Sequence, residues 1–267
     1  MADPHPFDEA LQLDTLGANV SRGRTHPEWA NMVGPFGGIT AAVMLRAVEA
    51  HPECIGKPLA LTVNYAAPIA DGDFDVTLRA ARTNRTNQHW IVELSQDDVV
   101  KTTATAIFAI RRESWADTES HPPQAPAPEQ VPAVDPGLVR WTSLYDMRYV
   151  EGAMPGKGGN PSRSSTSTLW VRDSAGRPVD YPALAALCDI FYPRVFLRHG
   201  FIPSGTISLT TYFHADQPEL DAVASDFVLA TAHANRFSRG YFDQSAKVWT
   251  ADGGLLATTH QIVYFKG

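Results

Sequence analysis

The feature that most constrains this chain is a proline-rich stretch flanked by two halves that follow one order of elements. Within residues 116–137 lie Pro122, Pro123, Pro126, Pro128, Pro132 and Pro136, mixed with Ala, Glu and Gln. Proline fixes φ and removes a hydrogen-bond donor, so this segment builds neither helix nor sheet and reads as a semi-extended linker. It divides the 267 residues into 1–115 and 138–267. At roughly 100–200 residues per domain, the length fits two small domains or one large one.

The halves match in the sequence of their elements. In the first, strands at 10–14 and 19–24 precede Gly34-Pro35-Phe36-Gly37-Gly38 and an apolar helical segment over 39–50. Strand-like segments at 59–66, 74–83, 89–96 and 99–110 follow. In the second, strands at 141–149 and 167–171 precede an apolar helix over 181–198, with strands at 206–214, 227–234, 245–250 and 255–265 after it. Asn84-Arg85 corresponds to Asn235-Arg236, and 102–110 corresponds to 257–265 at an offset of 155. Each helix is apolar nearly all round, as a curved antiparallel sheet wrapped around it requires. A helix embraced by a sheet is the hotdog arrangement, and two in tandem give an α+β double hotdog.

Charge and cysteine usage narrow the function. The 22 Lys+Arg against 29 Asp+Glu give a net charge of −7, with no basic run to follow a phosphate backbone, so nucleic acid is not an expected partner. Cys54 and Cys188 lie far apart beside apolar residues, unlike a disulfide framework or a metal knuckle. The N-terminus lacks a basic region followed by an apolar stretch, and no apolar run approaches the roughly 20 residues that span a bilayer. The expectation is a soluble cytoplasmic protein without a membrane partner.

The common catalytic signatures are missing. There is no Gly-x-Ser-x-Gly elbow. Gly152-Ala-Met-Pro-Gly156-Lys157 is one residue short of a phosphate loop and continues with Gly158, where Ser or Thr is needed. Gly156-x-Gly158 runs into Pro161 where a dinucleotide fingerprint needs glycine. The histidines form no i, i+4 pair, so no metal is expected.

A few polar residues do not fit their surroundings. Asp189 interrupts a long apolar stretch, and burying an ion without partners costs several kcal/mol. Pro193, four residues later, removes the N–H that would bond the Asp189 carbonyl, so the helix kinks or restarts there. Asp189 is therefore either a functional carboxylate or the cap of a restarted helix. Gln261 places one amide on the apolar face Leu255, Ala257, Thr259, Val263, Phe265, either as a site residue or as a rim amide met by water. Thr206 begins a strand whose hydroxyl-lined face continues through Ser208, Thr210, Tyr212 and His214. Gly37-Gly38 at the first helix start either let backbone N–H groups hold an oxyanion or serve a tightly packed turn.

With these residues in view, the chain resembles the acyl-CoA thioesterase II-like family, the double-hotdog thioesterases. The likeness rests on Trp29 with Gly34-Pro35-Phe36-Gly37-Gly38, on Leu187-Cys188-Asp189, on Tyr212-Phe213-His214 and on Leu256-Ala257-Thr258-Thr259-His260-Gln261. It spans nearly the whole chain, and its order and spacing carry more than any single motif. In that family an Asp, a Thr or Ser and a Gln of the second hotdog activate a water that attacks the thioester. Carried over, these are Asp189, Thr206 and Gln261, with Ser208 or Thr210 as alternatives to Thr206. The resemblance implies hydrolysis of acyl-CoA to a free acid and CoA, in lipid metabolism, without a cofactor. Gly37 and Gly38 would supply backbone N–H groups, and Arg82, Arg85, Arg236 and Arg239, in loops between strands, would meet CoA phosphates or remain solvated.

None of the three polar groups recurs in the first half, where Gly38, Pro58 and Ala106 align with Asp189, Thr206 and Gln261. One centre per chain is therefore expected. The alternatives are a non-catalytic acyl- or CoA-binding hotdog protein and an enoyl-CoA hydratase. The hydratase needs a His five positions after an Asp, and no Asp here has one. Sheet edges of hotdogs pair readily, so a homo-oligomer, dimer or higher, is expected. A substrate as anionic as CoA requires a local basic mouth on this acidic chain.

Overall fold

The computed structural model describes residues 4–137, 139–156 and 159–267. Lys157 and Gly158 of the glycine-rich turn lie outside them. Thirteen strands, every neighbouring pair antiparallel, form one sheet. The first half contributes α1 (Pro6–Ala10), β1 (Asp14–Gly17), β2 (Val20–Arg24), α2 (Gly37–Glu49), β3 (Lys57–Tyr65), β4 (Asp73–Thr83), β5 (Asn87–Gln96) and β6 (Val99–Ala109). The second contributes β7 (Tyr145–Glu151), β8 (Ser167–Asp173), α3 (Tyr181–Leu187), α4 (Val195–Arg198), β9 (Ser204–Phe213), α5 (Gln217–Val223), β10 (Val228–His233), β11 (Phe237–Ser238), β12 (Tyr241–Trp249) and β13 (Leu255–Phe265).

The strand order is β1-β2-β4-β5-β6-β3-β9-β13-β12-β10-β8-β7, with β11 paired to β12. Read outward from the β3–β9 junction, the two halves repeat each other. At that junction Thr62 faces Thr210, and their hydroxyls share a hydrogen bond of 3.0 Å. Thr62 pairs with Thr105 on β6, and Thr210 pairs with His260 on β13. Thr105 and His260 are therefore equivalent, which reproduces the offset of 155 read from the sequence.

The inner face of the sheet wraps α2 and α3. Ten residues of α2 are buried, from Gly38 to Val48, and its one exposed position in that stretch is Arg46. The helices pack antiparallel: the start of α2 meets the end of α3, where a side chain at Gly38 would strike the Ala186 carbonyl, while Glu49 faces Asp180 at the other end. One apolar cluster runs through both halves. A second, of Tyr192, Val195, Phe196, Leu197, Phe242 and Val263, closes the second half beyond α3.

Several elements differ from expectation. The helix expected over 181–198 is three pieces: α3 stops at Leu187, residues 188–194 form an irregular segment, and α4 resumes at Val195. The central helix of the second half is thus short, seven residues against thirteen for α2. The strand expected over 10–14 begins only at Asp14, because Pro6, the His5 ring accepting from the Phe7 N–H, and Asp8 and Glu9 in the first turn start a helix that runs to Ala10. The segment 141–149 opens with a 3-10 turn before β7. The proline-rich stretch contains a single short 3-10 turn and is fastened to the outer face: Trp170 Nε1 donates to the Pro126 carbonyl at 2.8 Å, and Val131 packs with Trp170, Phe227 and Leu229.

Candidate active site

Asp189 lies just past α3, where the chain leaves the helix after Cys188. Its carboxylate turns back toward the sheet. Gln261 Nε2 on β13 donates to Asp189 Oδ1 at 2.8 Å, and Thr206 Oγ1 on β9 donates to Gln261 Oε1 at 3.3 Å. The backbone N–H of Gly38 also donates to the Asp189 carboxylate. Gln261 is 5% exposed with partners on both sides of its amide, so it is not a rim amide met by water. Asp189 does not cap α4, whose N-cap is Arg194 and has no side-chain cap bond.

Thr206 reaches this group because of a β-bulge. Ile262 pairs with Ser208 and Val263 pairs with Thr206, which leaves Ile207 as the extra residue on β9. The bulge shifts the alternation by one. Thr206 therefore faces inward with Leu209, not outward with Ser208, Thr210 and Tyr212 as strict alternation requires. Thr210 bonds Thr62 instead.

The start of α2 forms the opposite wall. A Cβ at Gly37 would lie 2.6 Å from Asp189 Oδ2 and 3.3 Å from the Tyr65 hydroxyl, so only glycine leaves room for both. At Gly38 a Cβ would meet the Phe36 ring at 2.4 Å. Gly38 thus serves tight packing, and its N–H, expected at an oxyanion, is given to Asp189. The Tyr65 hydroxyl donates to the Gly37 carbonyl at 2.9 Å and fixes this turn. Tyr65 was not among the residues singled out in the sequence; its signal is the inward alternation Leu61, Val63, Tyr65, which ends in a hydroxyl.

Burial dominates the electrostatics. It pushes the Asp189 carboxyl up to about 7, against the Gln261 amide and the Gly38 N–H, which both favour the charged form. A carboxyl poised there exchanges protons near neutrality. Burial also holds the Tyr65 hydroxyl well above its usual range, with the Asp189 charge adding to the effect. The neighbouring Cys188 thiol is pushed up to about 12 and is not a nucleophile. Among the described residues no cluster of His, Cys, Asp and Glu is arranged to hold a metal ion.

The halves do not share these groups. Counted from the helix starts, Asp189 corresponds to Leu45, not to Gly38, since Gly37 and Tyr181 open α2 and α3 alike. Ala106 stands opposite Gln261, as the sequence offset requires. The four arginines divide. Arg239 lies in the tight turn between β11 and β12, where Tyr241 pairs with Tyr264 and Tyr264 with Gly205. The turn end at Tyr241 is two strand spacings, about 10 Å, from the Thr206 end of β9, and Arg236, just before β11, lies one spacing farther out. Arg82 and Arg85 lie where Thr83 pairs with Gln88 and Ala109 pairs with Lys57. That is the far end of β3 from Tyr65, about 26 Å away. All four are exposed.

Comparisons with known proteins agree with this architecture. The family model of the acyl-CoA thioesterase C-terminal domain matches residues 118–265, and that of the acyl-CoA thioesterase N-terminal domain matches 25–109. No curated protein matches the chain in sequence. A conserved hot dog fold protein of unknown function from Alicyclobacillus acidocaldarius is 45% identical over 99% of both chains, with a TM-score of 0.94. A putative thioesterase II from Thermobifida fusca is 20% identical, covering 98% of this chain and 97% of its own, with a TM-score of 0.85. The tesB protein of Mycobacterium avium subspecies paratuberculosis is 20% identical over 98% of both chains, with a TM-score of 0.80. The last two show the fold; the family models, one of which spans more than half of the sequence, show that this double-hotdog chain belongs to the acyl-CoA thioesterase family.

Proposed function

We propose that the protein hydrolyses acyl-CoA thioesters to a free carboxylic acid and CoA, with Asp189 as the general base. The observation that carries this reading is the relay Thr206–Gln261–Asp189 facing the first turn of α2. Gln261 occupies Oδ1 and leaves Oδ2 toward the notch at Gly37. A water there gives its proton to the Asp189 carboxylate as its oxygen bonds to the thioester carbon. The C–S bond then breaks, and the proton passes from Asp189 to the departing thiolate. Arg236 and Arg239, exposed at this end of the sheet, are the cationic groups assigned to the CoA phosphates. Arg239 is held at φ 53° in the turn before Gly240, a left-handed backbone that disfavours side chains.

Release of free CoA from a panel of acyl-CoAs tests the reading. The native chain should release it at a rate rising through pH about 7, as Asp189 loses its proton. Asp189→Asn should lower the rate at least about a hundredfold. Binding of acyl-CoA without release at any chain length would make the protein a ligand carrier instead.

A further inference from the structure

The inner face beside Asp189 carries more polar side chains than the relay uses. Gln244 on β12 is directly opposite Gln261 on β13, and opposed residues of an antiparallel pair share a face with Cβ atoms about 5 Å apart. Thr259 lies two residues before Gln261 on the same strand, hence on the same face. Gln244 is 2% exposed and Thr259 is 1% exposed. Neither Gln244 Nε2 nor Thr259 Oγ1 has a hydrogen-bond partner among the described residues.

Leaving a buried polar atom unpaired is unfavourable, and this fold has a ready means to avoid it. Gln88 and Gln96, the buried glutamines of the first half, are engaged by backbone: Gln88 Nε2 donates to the Glu53 carbonyl, and Gln96 Nε2 to those of Ala70 and Asp73. The local two-fold symmetry supplies a second control. Trp90 opposes Ala106 as Gln244 opposes Gln261, and Val92 opposes Ala104 as Ala246 opposes Thr259. Gln244 and Thr259 therefore stand where the first half has Trp90 and Ala104, both buried and apolar. The architecture closes with apolar side chains at these positions, so packing does not explain the polar ones.

We propose that Gln244 and Thr259 form a subsite for an oxygen carried by the acyl group, so that the substrates are acyl-CoA thioesters with a hydroxyl or keto oxygen on the first few carbons beyond the thioester. This rests on the thioesterase reading. Gln244 Nε2 donates to that oxygen, and Thr259 Oγ1 donates to it or accepts from it. In this reading the acyl chain extends inward from Asp189 along Gln261 to this pair, and its oxygen supplies the partner that Gln244 Nε2 and Thr259 Oγ1 lack among the described residues. An unsubstituted chain would bury both groups unpaired, and a site built to hydrogen-bond a substrate oxygen rejects the analogue that lacks it.

The test compares kcat/KM for acyl-CoAs of equal length with and without a 3-hydroxyl or 3-keto group. The native chain, Gln244→Leu, Gln244→Met and Thr259→Val are measured, with thermal melts to establish folding; Gln244→Met keeps the side chain's length without its donor. The native chain should favour the oxygenated member at least about tenfold. Each Gln244 variant should lose at least about tenfold more on that member than on the unsubstituted one. Equal native rates, or variants that lower both members alike, overturn the proposal and leave the thioesterase reading standing. A native chain that releases CoA from neither member removes both.

Discussion

Burial raises two carboxyl groups to about 7, Glu49 at the end of α2 and Asp189 at the candidate site. Asp189 is raised to about 7 in the folded chain, against about 4 for a solvated aspartate. Its contribution to stability is fully present below pH about 4 and is lost as pH rises through about 7, because the folded state then holds a buried charge. Asp189→Asn carries no charge at any pH. It should therefore melt higher than the native chain at pH 8, with the gap closing toward pH 4, as thermal melts across that range would record. A native chain equal to the variant at pH 8 would show that Gln261 and Gly38 fully compensate the burial. Asp189 and Gln261 are legible in sequence because each breaks an apolar pattern. Gln244 breaks the alternation of Phe242, Ala246 and Val248 in the same way, but the strand read over 245–250 leaves it out, since β12 starts four residues earlier at Tyr241. Thr206 is legible only in part: its inward face depends on the bulge at Ile207, which belongs to the pairing of β9 with β13 and not to either strand alone.

Among the elements, strands are the most legible, since period-two burial is written locally. The helices are less so. The apolar stretch beyond Cys188 looks like more helix but folds into irregular backbone and a second core cluster, a tertiary outcome of Pro193 and of Phe196 stacking on Tyr192 and Phe201. The short helix α5 has a complete local signal, Asp216 and Glu219 in a reciprocal capping box with Pro218 between them, though an apolar-period criterion passes over it. Tight turns offer a test at this scale. Between β5 and β6, Asp97 and Asp98 both have positive φ, 50° and 60°, in a two-residue hairpin turn. Asparagine followed by glycine suits that turn. Asp97→Asn combined with Asp98→Gly should raise stability by about 1 kcal/mol, measured by denaturant midpoint, without altering CoA release.

For the whole molecule, the governing facts are an acidic surface and a site assembled from both halves. The wall at Gly37 and Tyr65 comes from the first half, the relay from the second, and the continuous sheet fixes their spacing. Described residues include no helix long and apolar enough to cross a membrane. A net charge of −7 makes capture of an anionic substrate depend on local cations. Arg236→Ala with Arg239→Ala should raise KM for acyl-CoA about tenfold with little change in kcat, and more so at low salt. Arg82→Ala with Arg85→Ala, at the far end of β3, should leave both constants within about twofold, and steady-state kinetics of the two double variants decide it. The hydrogen bond between Thr62 and Thr210 marks an axis about which the backbone repeats while the chemistry does not. In stoichiometric terms, the proposed function has one centre per polypeptide, because the first half carries Leu45 and Ala106 where the second carries Asp189 and Gln261.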